Sequence, residues 1–309
     1  MRSVAAALLI AFAGPAGAAP QALPAGLPSA PHAGFTSASL AAFADTSPDA
    51  AHPAALAAFV IPSHDGALNA VMYTAAGAGP HPTLLLLHGF PGNEQNLDLA
   101  QAARRAGWNV LTFHYRGSWG SPGVFSFAHS TEDAATALAF LRAPATVARY
   151  AVDPAQIAVA GHSMGGMMAA RVAADDPRVV DAFLIDPADF AAIGRSFADP
   201  AARESFRVNE VDGDLAPLAG TSEAAILAEV AAAGPALDLV AAMPALAGRP
   251  LALTGATRGI GFMAEAAASA ARQAGARRLD AVTWPTDHSF SDRRIALAVR
   301  LVGWLEQFR

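Results

Sequence analysis

Residues 157 to 166 read IAVAGHSMGG. Four apolar residues run into Gly161-His162-Ser163-Met164-Gly165, and an Ala- and Met-rich stretch of helical character follows. The spacing is Gly-x-Ser-x-Gly between an expected strand and an expected helix. That context has a chemical reason. A serine on a sharp strand-to-helix turn projects its hydroxyl above the sheet, and the two glycines let strand and helix pack around the turn. The helix N-terminus beneath it favours developing negative charge. Ser163 is therefore a candidate nucleophile.

Outward from this turn the chain alternates. TLLLLHG, from Thr83, is a continuous apolar run ending in glycine, as a parallel strand covered on both faces should be. Helical character follows over 95–106, then a strand in NVLTFHY, Asn109 to Tyr115. Ser130, Thr131, Glu132 and Asp133 offer caps and first-turn acids for a helix running to Arg142. Strands are expected in VVDAFLID, LALTG and LDAVTW, with helices after Ser163 and from about Phe262. A closing helix over 291–308 presents Ile295, Ala298, Val299, Val302 and Leu305 on one face. Upstream, two extended runs flank Asp65-Gly66, a hairpin signal that supplies antiparallel edge strands. The sum is an α/β chain with a mostly parallel, doubly wound sheet of about eight strands. Between about 190 and 247 the rhythm breaks into helical pieces rich in alanine and acids. That segment is expected to be a small helical cap over the sheet's C-terminal edge, where ligands bind in open α/β folds.

With GHSMGG, LLLLHGFPGNEQN and TDHSF in this order, the chain resembles the α/β-hydrolase superfamily over roughly residues 57–309. The resemblance implies a nucleophile, an acid and a histidine in that chain order. His288, between the last strand and the last helix, fits the general base. The family builds its oxyanion hole from the amide after the nucleophile and one after the third strand, here Met164 and Phe90. His88 is expected to tie that loop down. HYRGSWGSPGVFSF, from His114, resembles the Tyr-Arg-Gly-Ser loop of the serine-peptidase-like branch, which implies a site rim at Tyr115 and Arg116. The alternative for Arg116 is a pairing with an acid that holds the loop.

The family's usual acid follows the seventh strand, where this chain has Gly255-Ala256-Thr257-Arg258-Gly259. Asp186, at the end of the sixth strand, is the first substitute; Asp189 and Glu265 are the others. A Ser–His dyad or a disabled enzyme is the remaining possibility. Asp287 is adjacent to His288 and badly placed to face it. Gly259 is expected at positive φ, where an aspartate would be poorly tolerated. The same stretch, LALTGATRGIGF, matches a short-chain-dehydrogenase dinucleotide turn. Two facts exclude that reading: only about 50 residues follow, and the Tyr-x-x-x-Lys pair is impossible because all 20 basic residues are arginine.

Composition narrows the classes further. The net charge is −6 with scattered signs and no basic run, which argues against a nucleic-acid partner. There are no cysteines, so disulfides, thiolate metal sites and a lipoprotein anchor are impossible. The nine histidines lack metal-ligand spacing, so no metal or other cofactor is expected. MRSVAAALLIAFAGPAGAAP has a charged start, an apolar run of about ten residues and a small-x-small site, the grammar of an export signal over 1–19. The apolar run is too short to span a bilayer, so no integral span is expected after cleavage. Residues 20–55, rich in Ala, Pro and Ser, read as a flexible segment before a domain over 56–309.

The expectation is an exported, periplasmic or secreted serine hydrolase that cleaves small-molecule carboxylic esters through an acyl-enzyme. The alternatives are a peptidase or aminopeptidase with a peptide-like substrate, and a non-catalytic hydrolase-like binding protein that lacks the triad acid.

Overall fold

The computed structural model describes residues 40–308. The expected export signal and the first part of the segment after it lie outside those residues. Of the expected flexible segment, residues 40–54 lead into the sheet, and Ala41 and Ala42 are tied to the helix Leu97–Arg105. Arg105 donates from Nε to the Ala41 carbonyl at 2.7 Å, and Ala41 is buried.

Eight strands form one sheet: β1 (Ala55–Ser63), β2 (Gly66–Thr74), β3 (His81–Leu87), β4 (Asn109–His114), β5 (Val152–His162), β6 (Ala182–Ile185), β7 (Leu251–Arg258) and β8 (Leu279–Asp287). Their order is β1-β2-β4-β3-β5-β6-β7-β8. Only β2 runs against its neighbours, pairing antiparallel with both β1 and β4. The expected hairpin is therefore present, but β2 lies inside the sheet and β1 alone forms that edge. Its two-residue turn is His64-Asp65, one residue before the expected pair. His64 takes the left-handed conformation, and Gly66 already pairs with Ser63.

The apolar runs of β3 and β5 still carry a period of two, because the sheet is covered on both faces. Leu85, Leu87 and Val159 face one core with the helices Phe127–Arg142, Met164–Asp175 and Gly261–Gln273. Leu84, Leu86, Ala158 and Ala160 face the other, with Leu97–Arg105 and Arg294–Leu305. In that last helix Leu297, Leu301 and Trp304 join the buried face, and Ile295, expected inside, is 65% exposed. The helix Phe127–Arg142 starts earlier than expected, with Ser126 as its cap accepting from the His129 amide at 3.0 Å. Ser130 and Asp133 thus lie inside it. Asp133 is fully buried and serves Arg116 and Ser63 instead of capping.

Between β6 and β7 the cap comprises the helices Phe190–Ser196, Pro200–Phe206 and Glu223–Ala231, with a π-helical turn at Arg207–Val211. The last piece of the expected insertion, Leu239–Leu246, packs beside the helices after β5 and β7. It belongs to the sheet's own cover.

Asp181, one residue before β6, is 1% exposed and accepts from the Trp304 indole at 3.2 Å through one oxygen; the other oxygen has no partner. Burial pushes its carboxyl up to about 7. An acid raised in this way holds its proton more tightly folded than unfolded. Its contribution falls as pH climbs from the ordinary aspartate range near ~4 to about 7 and is flat above. Asp181→Asn keeps the acceptor for Trp304 without the charge. The variant should be more stable than the parent at pH 8 by on the order of 1–3 kcal/mol, a gap that closes toward pH ~4. Urea unfolding of both proteins across pH checks it; a pH-independent gap would contradict the buried-acid account.

Candidate active site

Ser163 occupies the turn between β5 and the helix Met164–Asp175 with φ 55° and ψ −121°. That is sparsely populated backbone for a residue with a Cβ, and it is held by neighbours. The Ser163 amide donates to the Ile185 carbonyl at 2.9 Å, and its own carbonyl accepts from Gly166 and Ala188. The glycines have the steric role the spacing implies. A Cβ on Gly161 would overlap the Gly165 carbonyl, and one on Gly165 would overlap the Leu87 carbonyl in β3.

His288 follows β8 and donates from Nδ1 to Asp186 Oδ2 at 2.7 Å, which leaves Nε2 as the acceptor nitrogen. Asp186 is fully buried and sits at φ 39°, immediately after β6. Its carboxylate is held on both sides by the seventh-strand loop. The Ala256 amide donates to Oδ1 at 2.9 Å and the Ile260 amide to Oδ2 at 2.9 Å.

The dehydrogenase-like stretch thus has a different structure and task from the fingerprint it matches. β7 continues through Gly255 to Arg258, with a register shift against β8 between Ala256 and Arg258, so there is no glycine cradle after Thr254. Its loop supplies two amides to an acid borne by the adjacent strand. Gly259 does not have the positive φ expected of it. What excludes a side chain there is proximity, since a Cβ would overlap Asp186 Oδ2 and press on the His288 backbone.

The other acids are engaged elsewhere. Asp189 caps Phe190–Ser196 by accepting from Ala192 at 2.8 Å. Glu265 accepts from Thr283 at 2.8 Å, and Asp287 accepts from the Ser291 amide at 2.8 Å.

Two histidines surround the site without facing it. His162 is buried and donates from Nε2 to the His288 carbonyl at 2.8 Å, its ring 4.5 Å from the His288 ring. Burial and the neighbouring His288 hold its pKa down to about 3, so it stays neutral. It braces the His288 loop, a role that the unspecified position in Gly-x-Ser-x-Gly does not announce. His88 is also buried, with its pKa lowered to about 4, and donates to the Gly89 carbonyl at 2.7 Å.

Tyr115 and Arg116 do not form a site rim. Tyr115 is fully buried, and its hydroxyl donates to the His88 carbonyl at 3.3 Å. Arg116 is 2% exposed and binds Asp133, Asp65 and Glu132 at 2.7, 2.7 and 2.5 Å. The loop's arginine is consumed in an ion-pair network that runs from buried Asp133 out to exposed Asp65 and Glu132, and neither Tyr115 nor Arg116 lines the cavity.

Ser163, His288 and Phe90 open into one cavity of about 540 Å³ beneath the cap, within the ordinary range for small-molecule sites. Phe90, Phe127, Phe190, Phe206, Phe262 and Met263 supply its apolar wall. Met164 is the first residue of its helix, so its amide has no intrahelical acceptor. The Phe90 amide makes none of the loop's backbone hydrogen bonds. Among the described residues no group of three or more side chains is arranged to hold a metal ion.

The model of the alpha/beta hydrolase fold family matches residues 82–278. Two uncharacterized Mycobacterium tuberculosis proteins, from different strains, are each 35% identical over 106 residues, 34% of this chain and 35% of theirs. The chain spans about a third of the length of these curated relatives. Among solved structures, an esterase from Pyrobaculum calidifontis superimposes with a TM-score of 0.63 at 18% identity, covering 83% of this chain and 87% of that one. A thermostable carboxylesterase cloned from a metagenomic library gives 0.60 at 21%, covering 88% and 94%. Brefeldin A esterase, described as a bacterial homologue of human hormone-sensitive lipase, gives 0.60 at 17%, covering 88% and 81%. At these identities the likeness is one of fold. With the family match across most of the sheet, the nucleophile-type turn after β5 and the histidine after β8, this chain belongs to the alpha/beta hydrolase fold family.

Proposed function

We propose that the protein is a serine hydrolase that cleaves carboxylic esters through an acyl-enzyme. The observation that carries the reading is the strained Ser163 sharing a cavity with His288, whose far nitrogen is bound to a buried carboxylate. In this reading His288 Nε2 takes the Ser163 proton as Oγ attacks the acyl carbon. The Phe90 and Met164 amides donate to the oxyanion, and Asp186 accepts Nδ1–H throughout. Collapse expels the alcohol, which leaves with the proton from His288. Water then attacks the acyl-enzyme by the same route and releases the acid. These steps need no cofactor.

Support for the rival readings is weaker. The peptidase reading leaned on Tyr115 and Arg116, neither of which lines the cavity. The non-catalytic reading leaned on a missing acid, yet His288 has one at 2.7 Å. Export to the periplasm or medium is part of the proposal and rests on the N-terminal residues 1–19 alone. No helix among the described residues is long and apolar enough to cross a membrane.

The test is covalent labelling with a fluorophosphonate, followed by turnover of p-nitrophenyl esters against aminoacyl anilides. Labelling with ester turnover is expected. Anilide turnover exceeding ester turnover would overturn the ester assignment, and absence of both labelling and turnover in the folded protein would overturn the hydrolase reading.

A further inference from the structure

The cavity wall is largely apolar; apart from His288 its charged side chains are Glu210, which adjoins Asn209 in the π-helical turn Arg207–Val211 on the cap side, and Arg258 from the end of β7. That turn is closed by an i→i+5 bond from the Asp212 amide to the Arg207 carbonyl at 2.8 Å. Such turns are rare and concentrate at functional sites. Here the wider turn lets two successive side chains reach one cavity.

Glu210 is the only acidic residue lining that cavity, and among the described residues its carboxylate has no hydrogen-bond or ion-pair partner. The arginine of its own turn and the arginine that shares the cavity lining each have other partners. Arg207 pairs with Glu204 and Glu223. Arg258, on the opposite wall, donates to the Pro285 carbonyl at 3.3 Å and faces the acids of the 285–292 loop. Asp214 adds a second negative charge on the cap side, close enough to act on Glu210. Glu210 is exposed at the mouth of the cavity, yet desolvation by the surrounding protein and that neighbour hold its carboxyl above its usual value, while His288 acts in the opposite direction. An unpaired carboxylate that faces a histidine across a substrate cavity is a counter-ion without its ion.

We infer that the cavity takes esters bearing a cationic group, an ammonium or quaternary ammonium, with Glu210 as its counter-ion and the phenylalanine wall around its alkyl substituents. Aromatic faces attract such cations as well, which fits the five phenylalanines lining the cavity. The inference rests on Ser163 and His288 being the reacting pair, and its tests separate the two ideas.

Thioesters give a clean readout because the chain has no cysteine to react with a chromogenic disulfide. S-Butyrylthiocholine against S-(3,3-dimethylbutyl) thiobutyrate places or removes the cation on the leaving group. S-Ethyl 4-(trimethylammonio)thiobutanoate against S-ethyl 5,5-dimethylthiohexanoate does so on the acyl group. In at least one pair the cationic-to-neutral ratio of kcat/KM should fall about 3–10-fold in Glu210→Gln and further in Glu210→Arg, the effect of a partly solvated ion contact. Comparing variants removes the aromatic contribution, which all share. Binding of benzyltrimethylammonium to Ser163→Ala, with and without Glu210→Gln, reads the site apart from chemistry, and Kd should rise by a similar factor. Glu210-dependent binding without thioester turnover would uphold the cation site and count against the hydrolase reading. Ratios and Kd values indifferent to Glu210 would overturn the inference even if the neutral thioesters turn over.

Discussion

Ser163→Ala should abolish fluorophosphonate capture and lower ester turnover by on the order of 10⁶ in kcat. In the proposed mechanism the hydroxyl forms the covalent bond, so no neighbour replaces it. Met164 and Phe90 would still offer their amides, and a small residual rate over water is expected from them. The fold should survive, because the Ser163 backbone, and not its hydroxyl, holds the turn to Ile185 and Ala188. Alanine bears the same φ of 55° at similar cost. A thermal midpoint within a few degrees of the parent, with labelling lost, is the expected pair of results. A variant that is still labelled would transfer the nucleophile to another residue.

Asp186→Asn should cost on the order of 10³–10⁴ in kcat. The Asp186 carboxylate accepts three hydrogen bonds: from His288 and Ile260 on Oδ2 and from Ala256 on Oδ1. An amide has one accepting oxygen, so its NH2 must face a donor. If it faces His288, the imidazole turns over to its other tautomer, Nε2 no longer accepts the serine proton, and the Ile260 amide loses its partner as well. If it faces Ala256, that buried amide loses its partner, at about 1–3 kcal/mol of stability. Both placements cost stability, so kcat distinguishes them: only the first removes the accepting nitrogen. Asp189→Asn, which keeps a capping oxygen for Ala192, should change kcat less than tenfold. Gly259→Ala should mimic Asp186→Asn in direction, because its Cβ displaces the same carboxylate. An Asp186→Asn enzyme within tenfold of the parent would mean that His288 works without an orienting acid.

Much of this was legible in sequence because the deciding signals are local. A strand, a Gly-x-Ser-x-Gly turn and a helix span few residues, and the order of apolar runs carries the sheet. The expectations that failed depend on contacts distant along the chain. The rim reading of Tyr115 and Arg116 failed while its alternative, Arg116 pairing with an acid, held; nothing near it announces Asp133 as that acid. Asp133 itself read as part of a cap because the helix start was set at Ser130 and not after Ser126. The acid was reduced to a short set of candidates, since only strand adjacency decides which carboxylate reaches His288. The brace from His162 and the unpaired charge on Glu210 had no signal at all. One occupies a position the motif leaves open, and the other lies in a cap whose packing follows no simple period.

The source of the acid has a consequence for how this site can change. In the usual arrangement the loop after β7 carries a catalytic side chain and is constrained by it. Here that loop contributes only main-chain amides from Ala256 and Ile260, which almost any residue would supply. Apart from Gly259, its side chains are released from the chemistry, yet Arg258 and Ile260 stand on the cavity wall. Under the proposed mechanism, selection can therefore rewrite that wall and leave the Asp186–His288 pair untouched, so that substrate preference and catalytic competence drift independently in descendants of this fold.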